Sequence, residues 1–194
     1  MSVCFKYELF PPAIQCVVIS DDNTPEKGPL FYSGNLKLDT GSDITCLNAR
    51  DLGISVSEEE FSRWIQTHDN LEIIKNGQLK KKGLICVNTK GIDKTAADIK
   101  AYCYQMQSFT ISTYQGSLTI GSVPVFITFD SRFQTPLLGR DILSLLNIEI
   151  NNDKRILTLN PTKALSNNRI TPQYFINVGI YDKGKMLISE TSVE

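Results

Sequence analysis

Alternating apolar and polar positions recur along most of the chain. Because successive side chains of a strand point to opposite faces of a sheet, a period of two predicts strands rather than helices. The positions that carry this pattern are Val17 and Ile19, Leu36 and Leu38, and then Val123, Val125, Ile127 and Phe129. The pattern therefore predicts a mainly β core.

Turn residues and flanking apolar runs predict two hairpins. Asn76-Gly77 stands between two apolar runs, and both residue types tolerate the positive φ of a two-residue hairpin turn. The stretch "IEINNDKRILTL", from Ile148 onward, predicts a closing hairpin. Lys80 to Lys82, beside the first hairpin, are interpreted as a solvated strand edge.

Helical patterns are short. In "VSEEEFSRWIQTH", Ser57 can cap a helix that has Glu60 three residues later, which predicts a helix over residues 57–68. The apolar residues of this segment share one helix face: Phe61, Trp64 and Ile65. A second stretch, "DILSLLN" at 141–147, predicts one or two further helical turns.

Length and charge narrow the class of protein. The 194 residues suffice for one domain with a buried core, predicted at 1–160. The more polar residues 161–194 are interpreted as an extension, in which "QYFINVGIYDKGKMLI" suggests a hairpin. Lys and Arg number 20 against 21 Asp and Glu, so the charge balance argues against a nucleic-acid or membrane partner.

Three features of the sequence indicate the cellular compartment and whether a metal site is expected: the cysteines, the single histidine and the N-terminus. Five cysteines at irregular spacing favour reduced thiols, and the N-terminus has no secretory-signal pattern, so we expect a cytoplasmic protein. Cys46 is expected to be a small buried side chain. His68 is expected at the surface, and one histidine without a C-x-x-C pair argues against a structural zinc site; no metal or other cofactor is expected.

Two motifs, far apart in the sequence, contain the candidate functional residues. The segment "NLKLDTGSDIT", residues 35–45, places Asp39 directly after an apolar strand; by itself it would also fit a plain turn. About a hundred residues later, "TPLLGRDILSLLN" has two apolar residues, then Gly139 and Arg140, and then the predicted helical turns. If the first motif were only a turn, there would be no reason for the second motif to follow it.

Together, in this order, the two motifs resemble those of the retropepsin-like aspartic proteases. These have an apolar-apolar-Asp-Thr-Gly-Ala/Ser segment, followed by an apolar-apolar-Gly-Arg/Asn segment that opens a helix. The resemblance covers residues 13–160. It implies an all-β, closed β-barrel-like acid protease fold, with a single-lobed subunit and one or two short helices. It also implies that the chain hydrolyses peptide bonds as an aspartic endopeptidase.

The resemblance implies a role for each residue of the first motif. Asp39 would be the catalytic aspartate, and Thr40 would hydrogen-bond across the symmetric pair of active-site loops. Gly41 would leave room for the substrate backbone, and Ser42 and Asp43 would bind the substrate. Because the chain has one Asp-Thr-Gly segment, the second catalytic aspartate would come from the second copy in a homodimer.

The second motif would support that loop. Arg140 would hold Asp43, since a guanidinium group suits a carboxylate. Leu137 and Leu138 would pack beneath the loop, and Gly139 would lie beside it.

A flap that closes over the peptide substrate is expected at residues 89–98. Gly91 and Ile92 would contact the substrate there. Retropepsin flaps are commonly rich in glycine, whereas Gly91 is the one glycine of this segment.

Two other functions stay open from the sequence. The glycine-poor flap supports a binding or dimerisation module of the same fold with weak or no protease activity. Phosphotransferases that use an aspartyl-phosphate also place an Asp after a strand, but the Lys expected directly after Asp39 is missing.

Overall fold

The computed structural model describes residues 3–8, 11–42, 44–67, 73–75, 78–80, 86–89, 99–113 and 116–163. Some features predicted from the sequence lie outside these ranges. They are His68, two residues of the lysine run (Lys81 and Lys82) and residues 164–194 of the extension.

The described residues form twelve strands and three short helical segments. The strands are β1 (Val3–Lys6), β2 (Ala13–Ile19), β3 (Phe31–Leu38), β4 (Cys46–Asn48), β5 (Ile73–Lys75), β6 (Gln78–Lys80), β7 (Cys86–Thr89), β8 (Ile99–Thr113), β9 (Gly116–Thr128), β10 (Leu137–Leu138), β11 (Leu146–Asn151) and β12 (Ile156–Pro161). The helical segments are a 3-10 turn (Ala49–Leu52), α1 (Glu58–Thr67) and α2 (Arg140–Leu143).

Six of the strands close into a barrel. The sheet runs in the order β2, β3, β10, β4, β9, β8, and β8 pairs again with β2, with Cys16 opposite Ile111. Strand β7 continues the sheet beyond β8. Closure removes the open edges that an isolated sheet would expose. The predicted mainly β, closed barrel with a few short helices is confirmed.

The long β8–β9 hairpin is the largest element of the barrel. Along β9, the predicted alternation is confirmed, because Val123, Val125 and Ile127 are buried on one face. Phe126, between two of them, is also buried, but it belongs to a different cluster of apolar residues. Both faces of this part of the hairpin are therefore covered.

A separate three-stranded sheet joins the two ends of the domain. The predicted closing hairpin is confirmed as β11 paired antiparallel with β12, and β1 pairs with the other side of β12. Leu157 and Leu159 of β12 are buried in the main core, so this sheet packs on the barrel through its middle strand.

The predicted helix at 57–68 is confirmed as α1. Ser57 Oγ accepts a hydrogen bond from the Glu60 backbone N–H at 3.2 Å, as expected for a helix cap. Phe61 is fully buried, and its ring lies 5.6 Å from that of Trp64 and 5.4 Å from that of Phe129. These aromatic contacts hold α1 against the barrel.

The predicted hairpin around Asn76-Gly77 is confirmed by its two strands. Strand β5 pairs antiparallel with β6, and Lys75 lies opposite Gln78, which leaves two positions for the turn. Those two turn residues themselves lie outside the described ranges.

Candidate active site

Asp39 follows the last residue of β3 and is half-buried. Its Oδ1 accepts a hydrogen bond from the Gly41 N–H at 2.9 Å, and its carbonyl accepts one from the Ser42 N–H at 3.2 Å. Both bonds lie within a tight turn in which Thr40 and Gly41 are exposed. The turn therefore fixes the carboxyl group of Asp39 while leaving the loop open to solvent.

The short strand β10 holds this loop from one side. It lies between β3, to which it is parallel, and β4, to which it is antiparallel. The Asp39 N–H donates to the Leu138 carbonyl at 3.0 Å, so the hydrogen bonding of β3 with β10 continues into the loop. The strands before and after Asp39 are thus separated by a strand from about a hundred residues later in the chain.

Gly139 lets two backbone segments touch. A Cβ atom at this position would lie 2.2 Å from the Ile44 carbonyl oxygen, a distance that no side chain can take without moving the backbone. Next to it, the Arg140 N–H donates to the Ser42 carbonyl at 2.8 Å. The start of α2 is therefore in direct contact with the loop that follows Asp39.

Asp141 and Thr45 join the same two segments through side chains. Asp141 Oδ2 accepts from the Thr45 N–H at 2.8 Å, and Oδ1 accepts from Thr45 Oγ1 at 2.7 Å and from the Ile142 N–H at 2.8 Å. Thr45 Oγ1 in turn accepts from the Gly139 N–H at 3.0 Å. The Asp141 side chain thus supplies a hydrogen-bond acceptor for the backbone just before β4.

A small group of buried residues, the outer cluster, lies next to Asp141. It consists of Ile44, Cys46, Ala101, Cys103 and Phe126, with Phe133 packed against it. Cys46 and Cys103 are opposite Phe126 on its two neighbouring strands, and both are thiols without a disulfide. Burial raises the pKa of both thiols, and the negative charge of Asp141 raises both pKa values further. The thiols are therefore neutral at ordinary pH.

The structure brings most of the sequence-predicted site residues together. In one compact region lie the following: Asp39, Thr40, Gly41, Ser42, Leu137, Leu138, Gly139 and Arg140. The Ser42 hydroxyl donates to the Ile44 carbonyl at 2.8 Å, which places this side chain within the loop. Its expected contact with substrate stays a prediction.

Three predicted residues lie outside the described ranges: Asp43, Gly91 and Ile92. The expected ion pair between Arg140 and Asp43 therefore stays a prediction, as does the flap. The two strands that flank the expected flap are described, and Thr89 of β7 is opposite Ile99 of β8.

Sequence reasoning gave no role to Thr45 or to the Asp141 side chain. An acidic residue at the start of a helix is ordinarily interpreted as favourable to the helix dipole. The available signal was the position of Asp141 between Leu138 and Ile142, where the apolar run predicts burial.

Within the described ranges, no group of three or more His, Cys, Asp or Glu side chains could hold a metal ion. None of the helices in the same ranges has the length and apolar character needed to cross a bilayer.

In comparisons with known proteins, this chain is similar to solved structures, but not to protein families or curated sequences. No protein-family model matches the chain, and no curated protein matches it. A solved retropepsin-like aspartic protease from Rickettsia conorii is similar, with a TM-score of 0.40, 12% sequence identity, and coverage of 82% of this chain and 90% of that chain. EIAV protease, solved with the inhibitor HBY-793, is similar with a TM-score of 0.32, 16% identity and coverage of 72% and 92%.

Proposed function

We propose that this chain is an aspartic endopeptidase that hydrolyses peptide bonds as a homodimer. The observation that carries the proposal is the setting of Asp39. Its carboxyl group sits at the end of a barrel strand, is fixed by the Gly41 N–H, and belongs to a loop held by β10 and the start of α2. Asp39 as a residue is half-buried, beside the exposed Thr40 and Gly41, which leaves room for a substrate to approach the loop.

Peptide hydrolysis by aspartates needs two carboxyl groups close together. Like charges at short distance cannot both ionise easily, so in aspartic proteases the pair shares one proton. The ionised member then activates a water molecule, and the protonated member donates its proton to the carbonyl oxygen of the scissile amide. This chemistry uses side chains and water alone.

A second copy of the chain would supply the second carboxyl group. Each chain has one Asp-Thr-Gly segment, and the exposed side of its loop is formed by Thr40 and Gly41. A two-fold axis beside this loop would place two Asp39 residues face to face, with the same contacts made by both chains. The peptide would bind across that axis, with Ser42, Asp43, Gly91 and Ile92 as the expected contacts.

The test is peptide cleavage by the purified full chain, measured with a mixed peptide library between about pH 4 and pH 7. Asp39→Asn should lower kcat by roughly 10² to 10⁴-fold, the usual contribution of acid–base catalysis. Its melting temperature should stay close to that of wild type, because Asn can still accept the Gly41 hydrogen bond. Asp153→Asn is the matched control, since Asp153 is exposed in the β11–β12 turn.

Dimer dependence gives a second measurement. Activity per chain should fall on dilution, and excess Asp39→Asn chains should suppress wild-type activity beyond simple dilution, because mixed dimers have one carboxyl group. A statine-type inhibitor, which mimics the tetrahedral intermediate, should block cleavage. If Asp39→Asn cleaves peptides as fast as wild type, the proposal is wrong. Dimers without any turnover would instead favour the binding-module function.

A further inference from the structure

Asp141 is a buried carboxyl group that the hydrolysis scheme above does not use. It is 3% exposed and belongs to the first turn of α2. Its acceptor atoms contact Thr45, which is 96 residues away in sequence and follows Asp39 by six positions. Burying a carboxyl group is unfavourable unless the group is hydrogen-bonded, so its position needs a physical reason.

The Thr45 hydroxyl links Asp141 to the backbone of Gly139. A hydroxyl has one proton to donate, and here it goes to Asp141 Oδ1. Its oxygen accepts the Gly139 N–H, and Gly139 lies so close to the Ile44 backbone that a Cβ atom there would clash with it. The Asp141 side chain therefore fixes the orientation of the Thr45 hydroxyl and, with it, the distance between α2 and the Asp39 loop.

Among the described residues, the groups that hydrogen-bond to the Asp141 carboxyl are all donors. The three donors are the Thr45 N–H, the Thr45 hydroxyl and the Ile142 N–H. An ionised carboxylate accepts all three, whereas a protonated carboxylic acid carries a proton of its own on one oxygen. Protonation therefore weakens at least one of the three contacts.

Burial and hydrogen bonding act on this group in opposite directions. Burial raises the pKa of Asp141 from the ordinary 3.8 to about 6, and the hydrogen bonds from Thr45 and Ile142 oppose that rise. Within the described ranges, the titratable groups that interact with it from neighbouring strands are the thiols of Cys46 on β4 and Cys103 on β8, which stay neutral in this range. Within α2, the charged residue next to Asp141 in the sequence is Arg140.

We propose that Asp141 positions the Asp39 loop through Thr45 and Gly139, and that this hold changes when the Asp141 carboxyl gains or loses its proton. Asp141 does not touch the reacting atoms in this scheme. It acts through the loop, so it is a positioning residue. The effect on turnover rests on the proposed function, whereas the titration and the change in loop stability are properties of the folded chain.

The first experiment measures melting temperature of the full chain between about pH 4 and pH 7 for wild type and Asp141→Asn. Asn is neutral throughout, so the difference between the two proteins isolates the charge of Asp141. Since the folded chain binds this proton more tightly than the unfolded chain, wild type should lose stability relative to Asp141→Asn as the pH rises through 6. The expected change in that difference is on the order of 5 to 10 °C.

Asp130→Asn is the matched control for this titration. Hydrogen bonds from Arg132 lower the pKa of Asp130 to about 2, so it stays ionised over the whole range. The wild-type difference from Asp130→Asn should therefore stay nearly constant between about pH 5 and pH 7, where Asp130 is ionised in both the folded and the unfolded chain. A constant difference between wild type and Asp141→Asn would overturn the proposed titration.

The second experiment tests positioning with Thr45→Val and Thr45→Ser. Valine keeps the shape but loses the hydroxyl, and serine keeps the hydroxyl. Amide hydrogen exchange in the 39–45 segment should be roughly tenfold faster in Thr45→Val, because one hydrogen bond to a charged acceptor is lost. In Thr45→Ser, the exchange rates should return towards those of wild type. Equal exchange rates in wild type and Thr45→Val would overturn the positioning role.

Kinetics then connects the loop to turnover. Thr45→Val should lower kcat more than it changes KM, with rescue by Thr45→Ser, and Asp141→Asn should change the shape of the kcat–pH profile. If wild type cleaves no peptide, the proposed function fails, but the melting and exchange measurements still decide the role of Asp141. If Asp141→Asn does not fold, the Thr45 pair carries the test.

Discussion

The first turns of α1 and α2 both contain acidic residues, and Glu58 of α1 differs from Asp141 of α2 in its burial, its partners and the direction of its pKa shift. Glu58 of α1 is half-buried, accepts a hydrogen bond from the Tyr102 hydroxyl at 2.6 Å, and lies 3.1 Å from Lys100 Nζ. The Tyr102 hydrogen bond, followed by Lys100, lowers the pKa of Glu58. Asp141 of α2 is buried among uncharged donors, and burial raises its pKa to about 6.

The difference follows from how each helix is attached. Side chains attach α1, with Phe61 fully buried among other aromatic rings, so its carboxyl group can remain at the boundary with solvent. Helix α2 also buries the side chains of Ile142 and Leu143, but its start is in direct backbone contact with the neighbouring segment, because Gly139 lies against Ile44. With no room for side chains at that contact, the Thr45 N–H needs an acceptor from the helix itself, and Asp141 provides it.

The two carboxyl groups therefore affect stability in opposite directions. Glu58 has a lowered pKa, so its contribution to folding is present at neutral pH and is lost on acidification. Asp141 has a raised pKa, so its contribution is present below about pH 4 and is lost as the pH rises through 6. Four substitutions test the contacts of the two helices and their surroundings, in order of expected effect.

Phe61→Ala should have the largest effect, because it removes the centre of the aromatic contacts that hold α1. We expect a loss of about 3–5 kcal/mol in the free energy of unfolding, measured by urea denaturation. Phe31→Ala is the control, since Phe31 is 53% exposed, and it should change stability by less than about 0.5 kcal/mol. Similar losses in both variants would mean that α1 is not attached through Phe61.

Gly139→Ala should come next, and it should affect both stability and turnover. The added Cβ would lie 2.2 Å from the Ile44 carbonyl oxygen, so α2 must move away from the Asp39 loop. We expect a loss of at least about 1–3 kcal/mol, as for other overpacked sites, together with a lower kcat. Gly28→Ala is the control, because the Cβ that alanine adds there would have no atom within 4 Å apart from those of its chain neighbours. A Gly139→Ala protein with wild-type stability and kcat would contradict the close contact.

Glu58→Gln should give a smaller, pH-dependent loss of stability. Glutamine keeps the shape and loses the charge that Tyr102 and Lys100 favour, so about 1 kcal/mol should be lost at neutral pH. The difference from wild type should shrink as the pH falls, which is opposite to the behaviour of Asp141→Asn. The check is chemical denaturation at several pH values, and slopes of the same sign in both variants would remove the contrast.

Cys46→Ala should have the smallest effect. Cys46 is buried in the outer cluster as a neutral thiol, so its loss should cost about 0.8 kcal/mol, the value of one buried methylene, and leave kcat within about twofold of wild type. Peptide cleavage and denaturation of the same preparation check both values. A large loss of turnover in a stable, folded variant would assign the thiol a chemical role.

Parts of the fold followed from the sequence because they depend on neighbouring residues. The cap at Ser57, the apolar face with Phe61, and the closing hairpin are confirmed, since capping, helical periodicity and turn formation act over a few positions. The alternation at Val17 and Ile19 also predicted a strand. In β2, however, the fully buried face carries Ile14, Cys16 and Val18, because this is the face that packs in the main core.

The longer strands with a clear alternation, the helix α1 and the two motifs that meet near Asp39 were predictable from the sequence, whereas the short strands β1 and β4 were not. The closure of the barrel by β8 and β2, and the hydrogen bonds from Thr45 to Asp141, become visible only in the folded chain. Both depend on where distant strands lie, and because Thr45 and Asp141 are 96 residues apart, no pattern of neighbouring residues identifies them as partners.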